Sequence, residues 1–136
     1  MIVIDASVWV SFYLTGDAHH AITDAWFLSL EQRGDLLLAP TLLLAETAGA
    51  IGRRTGRTDL AQAVYRNMAR LSTLRLVAID RGLAIRASRL AANLRLRGAD
   101  ACYVALAQAL GLPLATWDFE LQQRAGQVVS VLGPQL

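Results

Sequence analysis

The apolar positions change period several times along the chain, and each change marks an element. Ile2-Val3-Ile4 is an unbroken β-branched run, the pattern of a short strand buried on both faces of a parallel sheet. Val8 to Leu14 is apolar with aromatics and predicts a helix, broken at Gly16-Asp17. Asp17 is a plausible N-cap for a helix from Ala18 to about Arg33, with Ile22, Trp26 and Leu30 at helical spacing. Leu36 to Ala39 predicts a second buried strand, and Thr41 opens a helix with Leu42, Leu43 and Leu44 in its first turn. A basic turn is expected over Gly52 to Thr58, with Thr58 or Asp59 capping a helix from Leu60 to about Leu71, then a strand from Leu74 to Ile79. Leu83, Ala87, Leu90 and Leu94 mark one face of the next helix, which Gly98 is expected to end. Tyr103, Leu106, Ala107 and Leu110 give the following helix its buried side, and Gly111 stops it. A short strand at Leu114 to Thr116, a short helix from Glu120 to Arg124 and a strand from Val128 to Leu132 complete the pattern.

Strands alternating with helices predict an α/β fold, a central parallel β-sheet flanked by α-helices. The 136 residues suit one domain over 1–136 with a real core. No apolar run reaches the roughly 20 residues needed to cross a bilayer; the longest, Leu36 to Ala45, is interrupted by Pro40. No basic residue precedes the first apolar run, so a cleavable signal is not expected. The single cysteine, Cys102, excludes an internal disulfide and suits a reducing cytoplasm.

Charge changes the picture through its distribution. The net charge is +2, but residues 1–52 carry −5, residues 53–97 carry +9 and residues 98–136 carry −2. A basic middle between acidic ends suggests a polyanion-binding surface beside a carboxylate pocket. All thirteen basic residues are arginine. Without lysine, Schiff-base chemistry and a P-loop are excluded, and the phosphatase and receiver-type folds that set a lysine beside a strand-end aspartate are disfavoured. Arginine also favours bidentate phosphate contacts.

Four acids fall at comparable places in this pattern. Asp5 and Asp118 follow predicted strands, Asp100 stands in the first turn of a helix, and Glu46 lies within a helix among Leu42, Leu43, Gly49 and Ala50. Strand ends and the helix starts that follow them share one edge of a parallel sheet. Burying a carboxylate costs several kcal/mol unless it is paired or bound to a metal. Pairing with Arg53 or Arg54 is the simple alternative for Glu46, and an N-cap role the simple alternative for Asp100. Four carboxylates meeting at one edge repel strongly unless cations hold them, and oxygen ligands of this kind describe a Mg²⁺ or Mn²⁺ site. Such a site can hydrolyse a phosphodiester with activated water and no protein nucleophile. Ser7 and Thr116, each two residues from an acid, are expected to share a side with Asp5 and Asp118 in extended backbone.

Ile2-Val3-Ile4-Asp5-Ala6-Ser7, Glu46 in an early helix, Arg97-Gly98-Ala99-Asp100-Ala101 and Leu114-Ala115-Thr116-Trp117-Asp118 together resemble a PIN domain, and within that family the VapC-type ribonuclease toxins of toxin–antitoxin pairs. The resemblance spans essentially the whole chain. It implies that Asp5, Glu46, Asp100 and Asp118 bind Mg²⁺ or Mn²⁺, supported by hydrogen bonds from Ser7 and Thr116. It further implies endonucleolytic RNA cleavage, a homodimer and a VapB-type antitoxin that inserts near the site. Glu120 is the candidate for the further acid that some members carry after the Thr-x-Asp motif.

Arg54, Arg57, Arg95 and Arg97 are then candidates for phosphate contacts that hold RNA over the acidic pocket. His19-His20 could in principle serve as an acid–base pair for metal-free cleavage, but neighbours on a helix point about 100° apart, which favours helix-start or interface positions. Trp9, Phe12, Tyr13, Trp26 and Phe27 are expected in the core or a dimer interface. Two other readings stay open at this point: an RNA-binding or antitoxin-docking module that has lost activity, and a PIN nuclease of RNA processing or DNA repair.

Overall fold

The computed structural model describes residues 1–135. Five short strands, β1 (Ile2–Ile4), β2 (Leu37–Pro40), β3 (Leu74–Val77), β4 (Leu114–Ala115) and β5 (Val131–Leu132), are joined by seven helices. The helices are α1 (Ala6–Tyr13), α2 (His20–Gln32), α3 (Leu43–Thr55), α4 (Thr58–Arg70), α5 (Arg81–Leu94), α6 (Gly98–Leu110) and α7 (Phe119–Ala125). All strand pairs are parallel, in the order β3-β2-β1-β4-β5. The expected parallel sheet with flanking helices is what the chain forms. No described helix is long and apolar enough to cross a membrane.

The β-branched run Ile2-Val3-Ile4 suits the central place because all three residues can lose both faces and both edges to apolar neighbours. Val3 aligns with Leu38 of β2 on one side and with Leu114 of β4 on the other, and Val3 and Ile4 are fully buried. The chain builds outward from β1 in one direction through β2 and β3, then returns to its other side through β4 and β5. Strand order therefore reverses at β1, and in open parallel sheets the crevice at such a reversal, outside the carboxyl ends of the strands, is where ligands bind. Right-handed crossovers set the helices before and after the reversal on opposite faces. Helix α6 lies along β1, β2 and β4, and an unbroken stretch of it, Tyr103 to Ala107, is buried.

Several boundaries differ from the sequence expectation. The basic turn expected over Gly52 to Thr58 is mostly helix: α3 continues through Arg53 and Arg54 to Thr55, and the chain turns only at Gly56, at φ 67°. Gly52 lies inside α3 facing Ala61 of α4, whose Cβ a Cβ at position 52 would meet at an ordinary contact distance of 3.9 Å. Gly98 does not end α5; Arg95 does, in the left-handed region at φ 55°, and Gly98 opens α6. Thr41, Thr58 and Asp59 are not the N-caps, because Leu42 and Arg57 hold those positions ahead of α3 and α4, without side-chain caps. Asp17 caps the turn ahead of α2 by accepting the His19 amide at 2.9 Å. Strand β3 stops at Val77, and β5 is confined to Val131–Leu132.

Candidate active site

Asp5 leaves β1 and immediately N-caps α1. It is 5% exposed, and one oxygen carries the whole cap. Oδ2 accepts from the Ser7 hydroxyl at 2.6 Å, the Thr116 hydroxyl at 2.8 Å and the Ser7 amide at 3.2 Å. No described residue donates to Oδ1. Ser7 thus reaches Asp5 because α1 starts at Ala6, not through the extended backbone that the spacing suggested. Just past the neighbouring strand β4, Thr116 bridges the two ends: its hydroxyl donates to Asp5 and accepts the Asp118 amide at 3.0 Å. Asp118 in turn N-caps α7, with Oδ1 accepting the Leu121 amide at 3.0 Å.

Glu46, in the first turn of α3, meets no arginine. Tyr103 of α6 donates its hydroxyl to Glu46 Oε2 at 2.6 Å, and Oε1 has no donor among the described residues. Asp100, in the first turn of α6, accepts at Oδ2 from Arg97 Nε at 2.9 Å. The same guanidinium donates from Nη2 to Asp118 Oδ2 at 3.3 Å. Arg97 therefore bridges two of the four acids.

Burial pushes the Asp5 carboxyl above its usual range; the hydroxyls of Ser7 and Thr116 and the Ser7 amide pull it back, and the charge of Asp100 adds to the rise. Burial likewise pushes Glu46 up, with the Tyr103 hydroxyl opposing, Asp5 and Asp100 reinforcing, and Arg97 opposing. Three of the acids thus act on one another electrostatically. The Tyr103 phenol is itself driven far upward by burial and by Glu46, which keeps it a donor. Among the described residues no three His, Cys, Asp or Glu side chains lie close enough together to enclose an ion as they stand. Mutual repulsion keeps like charges apart, and the Arg97 guanidinium fills part of the role a cation would take. The donor set itself suits a hard cation: Asp5, Glu46 and Asp100 each have one oxygen held by a protein donor and one without.

Two recesses open beside these acids. One, of about 420 Å³, is lined by Ser7, Glu46, Asp17, Arg54 and Trp117 among others. The other, of about 250 Å³, is lined by Arg95, Arg97, Asp100, Asp118 and Glu120 among others. Glu120 stands at the second rim, where it pairs with Arg124. Of the other arginines singled out in the sequence, Arg54 pairs with Asp17 at 2.8 Å and Arg57 with Asp59 at 2.8 Å. The Arg95 carbonyl accepts from Arg124. His20 turns its Nδ1 to the Ser11 carbonyl at 2.9 Å, so the two histidines do not face a common point. Tyr103 escaped the sequence reading as a site residue, though its position three residues after Asp100 on one side of a helix was an available signal.

The sequence pattern of the PIN domain matches residues 2–127. No curated protein matches the chain in sequence. Among solved structures the fold is similar to that of Mycobacterium tuberculosis VapC20, described as a sarcin–ricin loop cleaving toxin, at TM-score 0.79 and 19% identity over 90% of this chain and 94% of that one. A toxin–antitoxin complex from Klebsiella pneumoniae is similar at TM-score 0.71 and 18% identity over the whole of both chains. VapBC2 from Rickettsia felis, bound to a DNA fragment from its promoter, is similar at TM-score 0.73 and 14% identity over 98% of each. With the sequence match running from the first strand past the last helix, the chain belongs to the PIN domain family.

Proposed function

We propose that this chain is a Mg²⁺- or Mn²⁺-dependent endoribonuclease and the toxin of a VapBC-type toxin–antitoxin pair. The observation that carries the reading is the edge of the sheet where Asp5, Glu46 and Asp100 act on one another, each with one oxygen anchored and one free of protein donors. Asp5, Glu46, Asp100 and Asp118 would hold the ion. When bound, a divalent cation supplies a lowered pKa for water and positive charge opposite the phosphodiester oxygens. The chain's own groups prepare that arrangement. Ser7 and Thr116 fix the inner oxygen of Asp5 and so aim the outer one. Tyr103 does the same for Glu46. Arg97 offsets the charge of Asp100 and Asp118 and lines the recess where it could also meet phosphate. Arg54 at one recess and Arg95 at the other add phosphate contacts, Arg57, which lines neither recess, extends them along the surface, and Glu120 has a supporting place at the rim.

The partners in this reading are RNA, a second copy of the chain and a VapB-type antitoxin; the similarity to toxin–antitoxin complexes supports the last. Incubating the purified protein with total RNA and Mn²⁺, then mapping the cut ends, tests the reaction. Water attack leaves 5′-phosphate and 3′-hydroxyl ends, and EDTA stops it. Cyclic phosphate ends, or cleavage that survives excess EDTA, would overturn the metal-dependent mechanism.

A further inference from the structure

In the recess that Ser7 and Glu46 share, the His19 and Trp117 rings lie parallel, 4.1 Å between centroids and 13° between planes. Both rings are held from behind. Trp117 Nε1 donates to Thr23 Oγ1 at 2.9 Å and Ser11 Oγ at 3.1 Å, and its amide donates to Ser7 Oγ at 3.0 Å. The His19 amide donates to Asp17 Oδ1 at 2.9 Å, and the imidazole Nδ1 is 3.7 Å from the same oxygen. Asp17 Oδ2 takes Arg54 at 2.8 Å. The imidazole is 47% exposed; with one face against the indole, that exposure falls on its other face and edge. Arg53, one residue before Arg54 on α3, lines the same recess. Among the described residues it has no carboxylate partner, and it folds back over Gly49, where a Cβ would meet its Nη1 at 3.1 Å.

A rigid, half-exposed flat ring beside two arginines, next to an acidic edge, is not how a core is filled. It has the chemistry by which proteins hold an unpaired nucleotide: a π-face for the base and guanidinium groups for the phosphate. We propose that His19, backed by Trp117, is a stacking platform for one unpaired RNA base, with the adjoining phosphate taken by Arg53 and Arg54. The proposal rests on the ribonuclease reading and narrows its substrate to RNA whose bases are splayed out of a helix, as in loops and single strands. Because every base has a π-face, the platform selects an unstacked base without selecting its identity.

Fluorescence anisotropy with a labelled eight-nucleotide single-stranded RNA in Ca²⁺, alongside a series with one abasic residue moved along the strand, tests this. One abasic position is expected to weaken wild-type binding about tenfold, within the range of one base–aromatic stack. His19→Ala should weaken binding of the intact strand by the same factor and become indifferent to the abasic residue at that position. His19→Phe should restore both behaviours, and Arg53→Ala should weaken all strands alike with a shallower salt dependence. Wild-type affinity in His19→Ala, or an equal loss on intact and abasic strands, overturns the platform while leaving the nuclease reading standing if the wild type cuts RNA in Mn²⁺. A wild type that neither binds nor cuts RNA overturns both.

Discussion

Two sets of carboxylates in this molecule are treated in opposite ways. On the outer surface Asp59 meets Arg57, whose guanidinium holds it below the usual range. Asp35, and Asp17 in the wall of the recess it shares with Glu46, are likewise held low, since the charges and donors of Arg33 and the N-terminus in one case, and of Arg54 and His19 in the other, outweigh what burial does to them. At the carboxyl edge of the sheet, Asp5 and Glu46 bond to hydroxyls and an amide but pair with no arginine among the described residues, and burial pushes both up. A chain with thirteen arginines had no shortage of positive partners. Leaving these two acids without one costs stability, and the proposed admission of an external cation would be a sufficient physical reason.

That contrast can be broken most directly by Asp5→Asn. All three donors address one oxygen of Asp5, so an amide can keep the cap while losing the charge. RNA cleavage in Mn²⁺ should fall by about a thousandfold or more, the scale of losing metal charge at the reacting phosphate, as read from the rate of end formation. Near wild-type rates would end the case for Asp5 as a ligand. Asp100→Asn should do the same. Next in size is the metal's own effect on stability. Mn²⁺ at a hundred times its Kd should add about 2.7 kcal/mol and raise the wild-type Tm by several degrees, with little change in Asp5→Asn.

Tyr103→Phe removes the donor that orients Glu46. A ten- to hundredfold loss of Mn²⁺ affinity by calorimetry is expected, about the weight of a group that aims a metal ligand. Without metal, pH sharpens the contrast further. A carboxyl raised in the folded protein contributes stability while protonated, and that contribution is lost as pH rises through its folded pKa. Asp5→Asn should therefore gain on the metal-free wild type as pH climbs from the ordinary value of 3.8 toward neutrality, by a few degrees in Tm, with the gap closing in acid. The smallest effect belongs to the outer set. Asp59→Asn loses only an exposed pair and should leave Tm and cleavage within error of wild type.

The sheet was legible because its signals are local. Ile2-Val3-Ile4 followed by Asp5, or Leu114-Ala115-Thr116 followed by Asp118, is a strand with an acid at its end wherever the rest of the chain lies. What could not be read depended on distant partners. Gly52 reads as a break until Ala61 of α4 is seen beside it, and α5 stops at an arginine in a conformation that glycine usually takes. Glu46 was recognised as an acid in apolar surroundings, but its partner came from 57 residues away. The bridge that Arg97 makes between Asp100 and Asp118 depends likewise on a residue 21 positions away. The stack of His19 on Trp117 joins two residues that nothing in their own neighbourhoods connects.

The central place of β1 has a consequence for timing. Val3 needs Leu38 on one side and Leu114 on the other, so β1 is finished only once β4, far along the chain, is in place. A nascent chain that has not reached β4 carries Asp5 without the Thr116 hydroxyl that fixes it. The edge that holds Asp5 is therefore assembled only after β4 and Thr116 have joined it, so no fragment that stops short of them carries the arrangement.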